Sequence, residues 1–538
     1  MVPPRLSQSL RVALALVGFG ASLPVAAQTS PDPVDLARQA AQGDRNREAA
    51  DLFAGVIQSA PERRRQLLLE YADQLTFSDR AAQAVPLYRE ALGWTNLSDD
   101  ERQRANRGLA LALAWSGQHA QAVAAYNDIL ARDPANRDAR LNRARVQGWR
   151  NRYGAAEADY RVLLAANPLD REALQGLAEL QSFRGMPRAA ARTLGPVAEG
   201  ESHPRTLFLL ARAQHWSGRS DLAGATLARA LALRPDDAEA LRLQREIGLA
   251  LSPLTEIIGR HSDQSDDTSI RALSLRQSFP LQGGAALFGA QYEIEQFDPD
   301  VGAKVTLHRP GLHAKALLSD ELSVTAEGAY TIARYLGQSD GFIVGNVYGT
   351  ITPSDELRFD FGVSRRSFDN VRSLILGIRS TEYGASVDIG SDAALKASLR
   401  GNLARISDGN ERLWGQAELR HRLAWSPNWF VGLRYTRFGF SEILDSGYFN
   451  PKRLQSVEAT TQLWGRLGRG YFDLRGGVGR ENANPGSGKW VFSGEAKVTQ
   501  PVSERVEVEA FLNSFSSRAA SADGFSRTTL GLALRRRW

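Results

Sequence analysis

From residue 253 to the end, the chain is written in short segments whose side chains alternate between two chemistries. In 489–499, Trp490, Phe492, Gly494, Ala496 and Val498 hold one parity, while Lys489, Ser493, Glu495, Lys497 and Thr499 hold the other. Successive side chains of a strand point to opposite faces, so this segment has one apolar and one charged face. The pattern recurs. Val506, Val508, Ala510 and Leu512 oppose Arg505, Glu507 and Glu509; Leu357, Phe359, Phe361 and Val363 oppose Arg358, Asp360 and Ser364. Leu413, Ala417, Leu419 and Leu423 oppose Trp414, Gln416, Glu418, Arg420 and Arg422.

Such strands suit a two-sheet sandwich, which hides the apolar face, or a membrane barrel, which turns it to lipid around a polar lumen. Segments of about ten residues or more match tilted strands crossing a bilayer. Tight turns (Gln282-Gly283, Ser319-Asp320, 353–355, 426–428, 468–470) alternate with longer loops (440–450, 482–488, 516–524), as expected of a barrel. The chain stops on Trp538 after Leu530, Leu532 and Leu534 in matching parity, with Arg536 interrupting the series. Strands are expected to start near Leu254, Ser269, Ala285, Ala303, Leu322, Gly341, Glu356, Val371, Ala394, Glu411, Trp429, Lys452, Tyr471, Lys489, Arg505 and Ser526. That makes a sixteen-stranded antiparallel transmembrane barrel over 253–538, wide enough for an aqueous lumen. The segment 371–389 is long for one strand, and Pro310 stands inside another.

Residues 1–27 read as a signal peptide. Arg5 and Arg11 precede a short apolar run, and Val25-Ala26-Ala27 offers small residues for cleavage. The chain has no cysteine, which removes disulfides, thiolate metal sites and a lipid-anchored cysteine, and its 7 histidines form no metal-binding pair. No cofactor is expected. A net charge of +6 is small for 538 residues and argues against nucleic acid as a partner.

Between 33 and 248 the periodicity turns helical and repeats internally. Trp115, Trp149, Phe183 and Trp216 are spaced by 34, 34 and 33 residues. In register follow Ala122, Ala156, Ala190 and Ala223, then Tyr126, Tyr160, Leu194 and Leu227, with Pro134, Pro168 and Pro235 closing units. An earlier unit carries Phe77, Ala84 and Tyr88, and a partial one Ala49, Phe53 and Pro61. This resembles the tetratricopeptide repeat, a helix-turn-helix unit that stacks into an α-solenoid. The fold class expected is therefore an N-terminal solenoid of about six repeats followed by a membrane β-barrel.

A signal peptide, such repeats and a C-terminal barrel ending in an aromatic together resemble the outer-membrane exporters of cellulose and poly-N-acetylglucosamine and the related YaiO-type barrel family. Leu113-Ala-Trp-Ser-Gly-Gln118 and 141–150 are similar to repeats of the YaiO-type proteins, and Gly447-Tyr-Phe-Asn-Pro-Lys-Arg453 resembles a stretch of the cellulose-exporter barrels. The resemblance implies a location in the outer membrane of a Gram-negative bacterium, with the repeats in the periplasm. It further implies export of a secreted polysaccharide, with outer-membrane lipid, the polymer and periplasmic polysaccharide-processing proteins as partners.

Three groups of residues are candidates for function. Phe77, Trp115, Trp149, Phe183 and Trp216 each stand at the end of a repeat's first helix; they either stack on successive sugar rings or wedge neighbouring repeats together. Arg358, Asp360, Trp414, Glu418, Arg420, Arg422, Trp464, Arg466, Asp473, Arg475, Glu495, Lys497, Glu507 and Glu509 fall on the polar parity of the strands. They either offer a wet track to a hydroxyl-rich polymer or pair across strands as any barrel interior does. The stretch Tyr448, Phe449, Asn450 and Pro451 either folds into the lumen as a gate or lies in an exposed loop at the membrane interface. No catalytic constellation stands out: a nucleophile elbow and a phosphate-binding glycine loop are both missing, so no enzyme is expected. The rival to export is a closed barrel that anchors repeats recruiting periplasmic partners.

Overall fold

The computed structural model describes residues 32–198, 200, 203–390, 394–484, 488–517 and 525–538. The targeting segment expected at 1–27 lies outside the described residues, as do parts of the loops expected at 482–488 and 516–524. The chain divides into two compact units, one ending at Arg150 and one running from Asn151 to Trp538.

The first unit contains helices α1 (Pro33–Gln42), α2 (Asn46–Ser59), α3 (Arg64–Phe77), α4 (Ala81–Leu92), α5 (Asp99–Trp115), α6 (His119–Arg132) and α7 (Arg137–Trp149). Local chemistry starts and stops them. Ser98 and Glu101 form a capping box at the start of α5, and Asn136 accepts the Ala139 N–H (3.0 Å) at the start of α7. Gly117, at φ +80°, takes the left-handed turn that ends α5, a conformation costly for residues with a Cβ. Ala84 and Ala122 are fully buried, where one helix must come close to the next, and Tyr88 and Tyr126 fill the space beside them. The α4–α5 approach is close enough that a Cβ at Gly108 would collide with the Tyr88 ring.

The second unit opens with α8 (Tyr153–Ala166), α9 (Arg171–Phe183), α10 (Pro187–Ala198), α11 (Pro204–Trp216), α12 (Ser220–Leu233) and α13 (Ala238–Ala250). Ala156, Ala190 and Ala223 are again fully buried, and Tyr160, Leu194 and Leu227 pack beside them. These helices build a core from Leu194, Leu207, Leu210, Leu227, Leu243 and Ile247, and each such leucine contributes about 1.5–3 kcal/mol by leaving water.

The rest of this unit is sixteen strands among the described residues. The first half is β1 (Leu254–Gln264), β2 (Thr268–Leu281), β3 (Ala286–Pro299), β4 (Val305–Leu317), β5 (Leu322–Tyr335), β6 (Gln338–Ser354), β7 (Leu357–Ser367) and β8 (Arg379–Ile389). The second half is β9 (Leu395–Ile406), β10 (Glu411–Trp425), β11 (Asn428–Phe440), β12 (Arg453–Leu467), β13 (Gly470–Asn484), β14 (Lys489–Pro501), β15 (Val506–Ser517) and β16 (Phe525–Arg537). Every neighbouring pair is antiparallel, and β1 pairs with β16 from Leu254–Arg537 to Gln264–Arg527, so the sheet closes as a barrel. Closure leaves no free edge.

The register sends one parity of each strand outward. That outer face carries exposed Leu413 (69%), Ile343 (67%), Leu532 (63%) and Trp490 (61%) among many other large apolar side chains. An apolar band of this extent is stable only against another apolar phase, and a single closed sheet has no second protein layer to supply one; lipid does. Trp429 and Trp538 lie at the edge of the band nearest the helices. There Arg536, the residue that breaks the terminal apolar parity, lies over the Trp538 ring at 3.9 Å.

Two departures from the expected strands have physical causes. The strand expected from Val371 begins at Arg379, and Val371–Ile375 is a short helix, α14. Val371, Leu374, Ile375 and Ile378 carry helical spacing, and Asn370 caps the turn by accepting the Ser373 N–H (2.8 Å). Pro310 stays within β4, but the pairing with β5 skips it, running His308–Ile332 and then Gly311–Ala329.

Helices and barrel meet within the second unit at the turns between strands. The Asp355 carboxylate, between β6 and β7, accepts the backbone N–H of Arg188 (3.0 Å) and of Ala189 (2.8 Å), capping α10. Arg219 pairs with Asp320 in the β4–β5 turn, and Arg537 donates to the Leu249 carbonyl (3.1 Å).

Candidate functional site

The charges expected to line the lumen form a nearly continuous ladder around its inner wall. Arg358 pairs with Asp360 (2.8 Å), which also accepts the Thr350 hydroxyl (2.6 Å). Further round, Arg434 donates to Glu418 (3.2 Å), Arg420 to Gln462 (2.9 Å), and Gln462 to Asp473 (3.1 Å). Asp473 pairs with Arg475 (2.8 Å), Arg475 with Glu495 (3.5 Å), and Lys497 with both Glu495 and Glu509 (3.9 Å each). The ladder closes on Arg535, which reaches Glu509 (3.1 Å), Glu507 (3.0 Å) and, on β1, Glu256 (2.6 Å). Strand alternation puts these side chains on one face, and antiparallel pairing brings opposite charges side by side.

Two of the expected lining residues sit differently, and two keep the expected parity. Arg422 is buried, its guanidinium 3.6 Å from the Trp425 ring centroid and 4.8 Å from that of Phe430. Trp414 packs beneath a loop rather than facing open lumen. Trp464 faces inward opposite Asp473, and Arg466 lies on the same parity at the helix-proximal rim, opposite Tyr471.

The ladder continues over strands whose charges the sequence reading passed over. Arg260 binds Glu293 (2.7 Å) and Glu295 (3.1 Å), Arg309 binds Glu295 (2.7 Å), and Arg276 binds Glu327. Alternation on β3 (Glu293, Glu295) carried the signal. The proline beside Arg309 and the short polar runs of β1 and β2 masked it.

At the end of the barrel away from the helices, two loops fold inward. The 441–452 loop carries Tyr448, Phe449, Asn450 and Pro451. Tyr448 is buried among Ile378, Ile406, Phe438, Phe440 and Leu454, and Phe449 and Trp414 pack on the same cluster. Its hydroxyl donates to Asp408 (2.8 Å) and accepts from Asn410 (3.1 Å). Burial first, and then the bond to Asp408, push the Tyr448 phenol up to about 12. Buried Asn450 donates to the Leu444 carbonyl (2.7 Å), and the Pro451 carbonyl accepts the Phe440 N–H (2.9 Å).

The 368–378 loop contains α14, where a strand is expected from Val371 onward, and it forms the other half of this arrangement. Leu374 is buried among Ile270, Phe297, Val305, Leu307, Ala333 and Phe342, the inward-facing residues of β2–β6. Arg372 pairs with Asp445 (2.7 Å), and the Ser373 hydroxyl donates to the buried Ser446 carbonyl (2.8 Å). The two loops thus join the β2–β6 wall to the β9–β13 wall across the distal mouth.

The repeat aromatics are each the last residue of their helix and are exposed, from 47% for Trp216 to 68% for Phe183. In the first unit the Phe77 and Trp115 rings meet edge to face at 5.5 Å, and His119 lies 5.6 Å from Trp149. In the second, Arg212 lies over the Phe183 ring (5.8 Å) and the Trp216 ring (5.1 Å). An aromatic face with half its surface in water can take the C–H face of a sugar ring as readily as a neighbouring side chain.

As a sequence the chain matches no protein family and no curated protein. Among solved structures, a bacterial polysaccharide outer membrane secretin aligns with 54% of this chain and 99% of its own, at 14% identity and a TM-score of 0.45. A tetratricopeptide repeat protein from Parabacteroides merdae aligns with 41% of this chain and 85% of its own, at 18% identity and a TM-score of 0.34. The monoaromatic hydrocarbon channel CymD aligns with 56% of this chain and 93% of its own, at 12% identity and a TM-score of 0.32.

Proposed function

We propose that this protein is a channel in the outer membrane of a Gram-negative bacterium that passes a secreted polysaccharide from periplasm to cell surface. In this reading the helical repeats stand in the periplasm and bind the polymer or the enzymes that process it. The observation that carries it is the lumen ladder. Its charges are paired side by side, so the wall presents many hydrogen-bond donors and acceptors and little net field, which suits a long hydroxyl-rich chain better than a single ion. Sugar rings would meet the exposed faces of Phe77, Trp115, Trp149, Phe183 and Trp216. The reading calls for no catalytic group; synthesis at the inner membrane would push the polymer forward. The paired inward loops act as the gate, held shut until polymer arrives.

A second reading is favoured by those same loops: a permanently closed barrel anchoring a periplasmic recruitment platform. Planar-bilayer recording separates the two. A gated channel conducts once both loops are shortened, whereas an anchor stays silent. Undiminished matrix export in a strain lacking the gene would count against the transport role altogether.

A further inference from the structure

The outer wall carries a basic feature that neither the lumen nor the repeats account for. Along β7, the lipid-facing parity runs Phe359, Phe361, Val363 and then ends on Arg365; along β13 it runs Leu474, Gly476, Val478 and then Arg480. Arg405 on β9, Arg437 on β11 and Arg453 on β12 complete an arc at the rim away from the helices. The register puts all five outward: Arg437 stands opposite Gln455, Arg480 opposite Val457 and Trp490, and Arg405 opposite Thr381, which in turn stands opposite Arg365. Arg453 shares its parity with outward Val457, and all five are exposed.

Among the described residues, no carboxylate lies within 4.0 Å of Arg365, Arg437, Arg453 or Arg480, and Arg405 has only Glu411 at 3.5 Å. Elsewhere the same rim is mixed: among the described residues, outward Arg271 on β2 and Arg334 on β5 also lack a carboxylate within 4.0 Å, but Asp263 stands there beside His261 (3.1 Å) and Asp298 beside Lys304 (2.7 Å). Unpaired guanidiniums directly above an apolar band are expensive unless something anionic meets them there. A guanidinium fork matches phosphate oxygens in geometry as well as charge.

We propose that this arc docks the phosphate groups of a phosphorylated glycolipid in the adjoining leaflet, with the lipid's acyl chains lying on the apolar band below. The inference rests on the outer wall facing lipid and is independent of what the lumen carries. It gives the barrel a laterally polarised rim: one sector grips charged headgroups and the rest does not.

The test uses the full-length folded protein in neutral detergent, with bound lipid counted by native mass spectrometry after exposure to diphosphorylated lipid A or its dephosphorylated form. The wild type should retain the phosphorylated lipid in about tenfold preference. R365Q/R405Q/R437Q/R453Q/R480Q should lose that preference, and R271Q/R334Q, on the other sector, should keep it. Equal retention of the two lipids by the wild type overturns the proposal. So does an equal loss in both variants, or displacement of the lipid by inorganic phosphate alone, which would mark a free-anion site. Should the five-site variant fail to fold, judged by heat-modifiable gel mobility, the wild-type comparison of the two lipids decides. A wild-type protein that does not insert into neutral vesicles sinks the lipid-facing assignment instead.

Discussion

The ring of Phe368 stacks on that of Tyr448, with centroids 4.5 Å apart and planes 14° from parallel. Each residue belongs to a different loop, so this contact joins the two halves of the mouth closure. Tyr448→Ala removes the stack, worth about 0.5–1.5 kcal/mol, and two hydrogen bonds worth about 1 kcal/mol each. The closed-to-open ratio should fall by roughly a hundredfold. Single-channel recording of the reconstituted protein reads this as open probability, and an unchanged silent trace would mean that the loops do not gate.

The closure should also loosen in alkali. A phenol raised to about 12 contributes its closing interactions fully below its ordinary value of 10.0 and loses them as pH rises through the higher value. Leak conductance attributable to Tyr448 should stay flat from neutral pH to about pH 10 and climb only beyond it. In Tyr448→Phe the alkaline climb should disappear and a small constant leak remain.

Ser373 and Arg372 tie the same loops together with unequal strength. The Ser373 bond to the Ser446 carbonyl is buried, whereas Arg372 and Asp445 pair in the open, with 57% and 84% of their side chains exposed. Ser373→Ala should raise open probability by about tenfold, leaving a buried carbonyl unsatisfied. Asp445→Asn should change it by about twofold or less, and less still in high salt.

The Asp355 carboxylate binds a helix to the barrel by accepting that helix's backbone N–H groups. Asp355→Ala should cost about 1–2 kcal/mol of local stability at the start of α10. Hydrogen exchange of residues 188–191 should accelerate by about tenfold. Heat-modifiable migration of the barrel should remain unchanged.

Exposed and buried aromatics of the repeats should behave in opposite ways. Trp216→Ala or Trp115→Ala should shift helix melting by the equivalent of about 1 kcal/mol or less, and should weaken oligosaccharide binding by isothermal calorimetry if these faces take sugar. Tyr88→Ala empties a fully buried site and should cost about 3–5 kcal/mol without touching a binding face. Normal sugar binding after loss of several exposed rings would return them to a packing role.

Much of this molecule was legible in the chain alone. Alternation such as Trp490, Phe492, Ala496 and Val498 against Glu495 and Lys497 specifies a strand with one greasy face, because the strand's side-chain period is two. The 34-residue recurrence of Trp115, Ala122 and Tyr126 specifies stacked helix pairs, because each pair hides its apolar stripe only against the next. Both signals are local in sequence and repeat many times. Tertiary structure decided what happens where neither holds. Val371, Leu374, Ile375 and Ile378 carry helical spacing, but the turn is too short to hold by itself; apolar residues on β2–β6, far away in sequence, fix it by receiving Leu374. The pairing of Arg535 with Glu256 needed the barrel to close, and the arc from Arg365 to Arg480 needed the seven strands β7 to β13 to lie side by side. A one-dimensional pattern says which side of its own strand a residue takes, and only the closed sheet says which other residues share it.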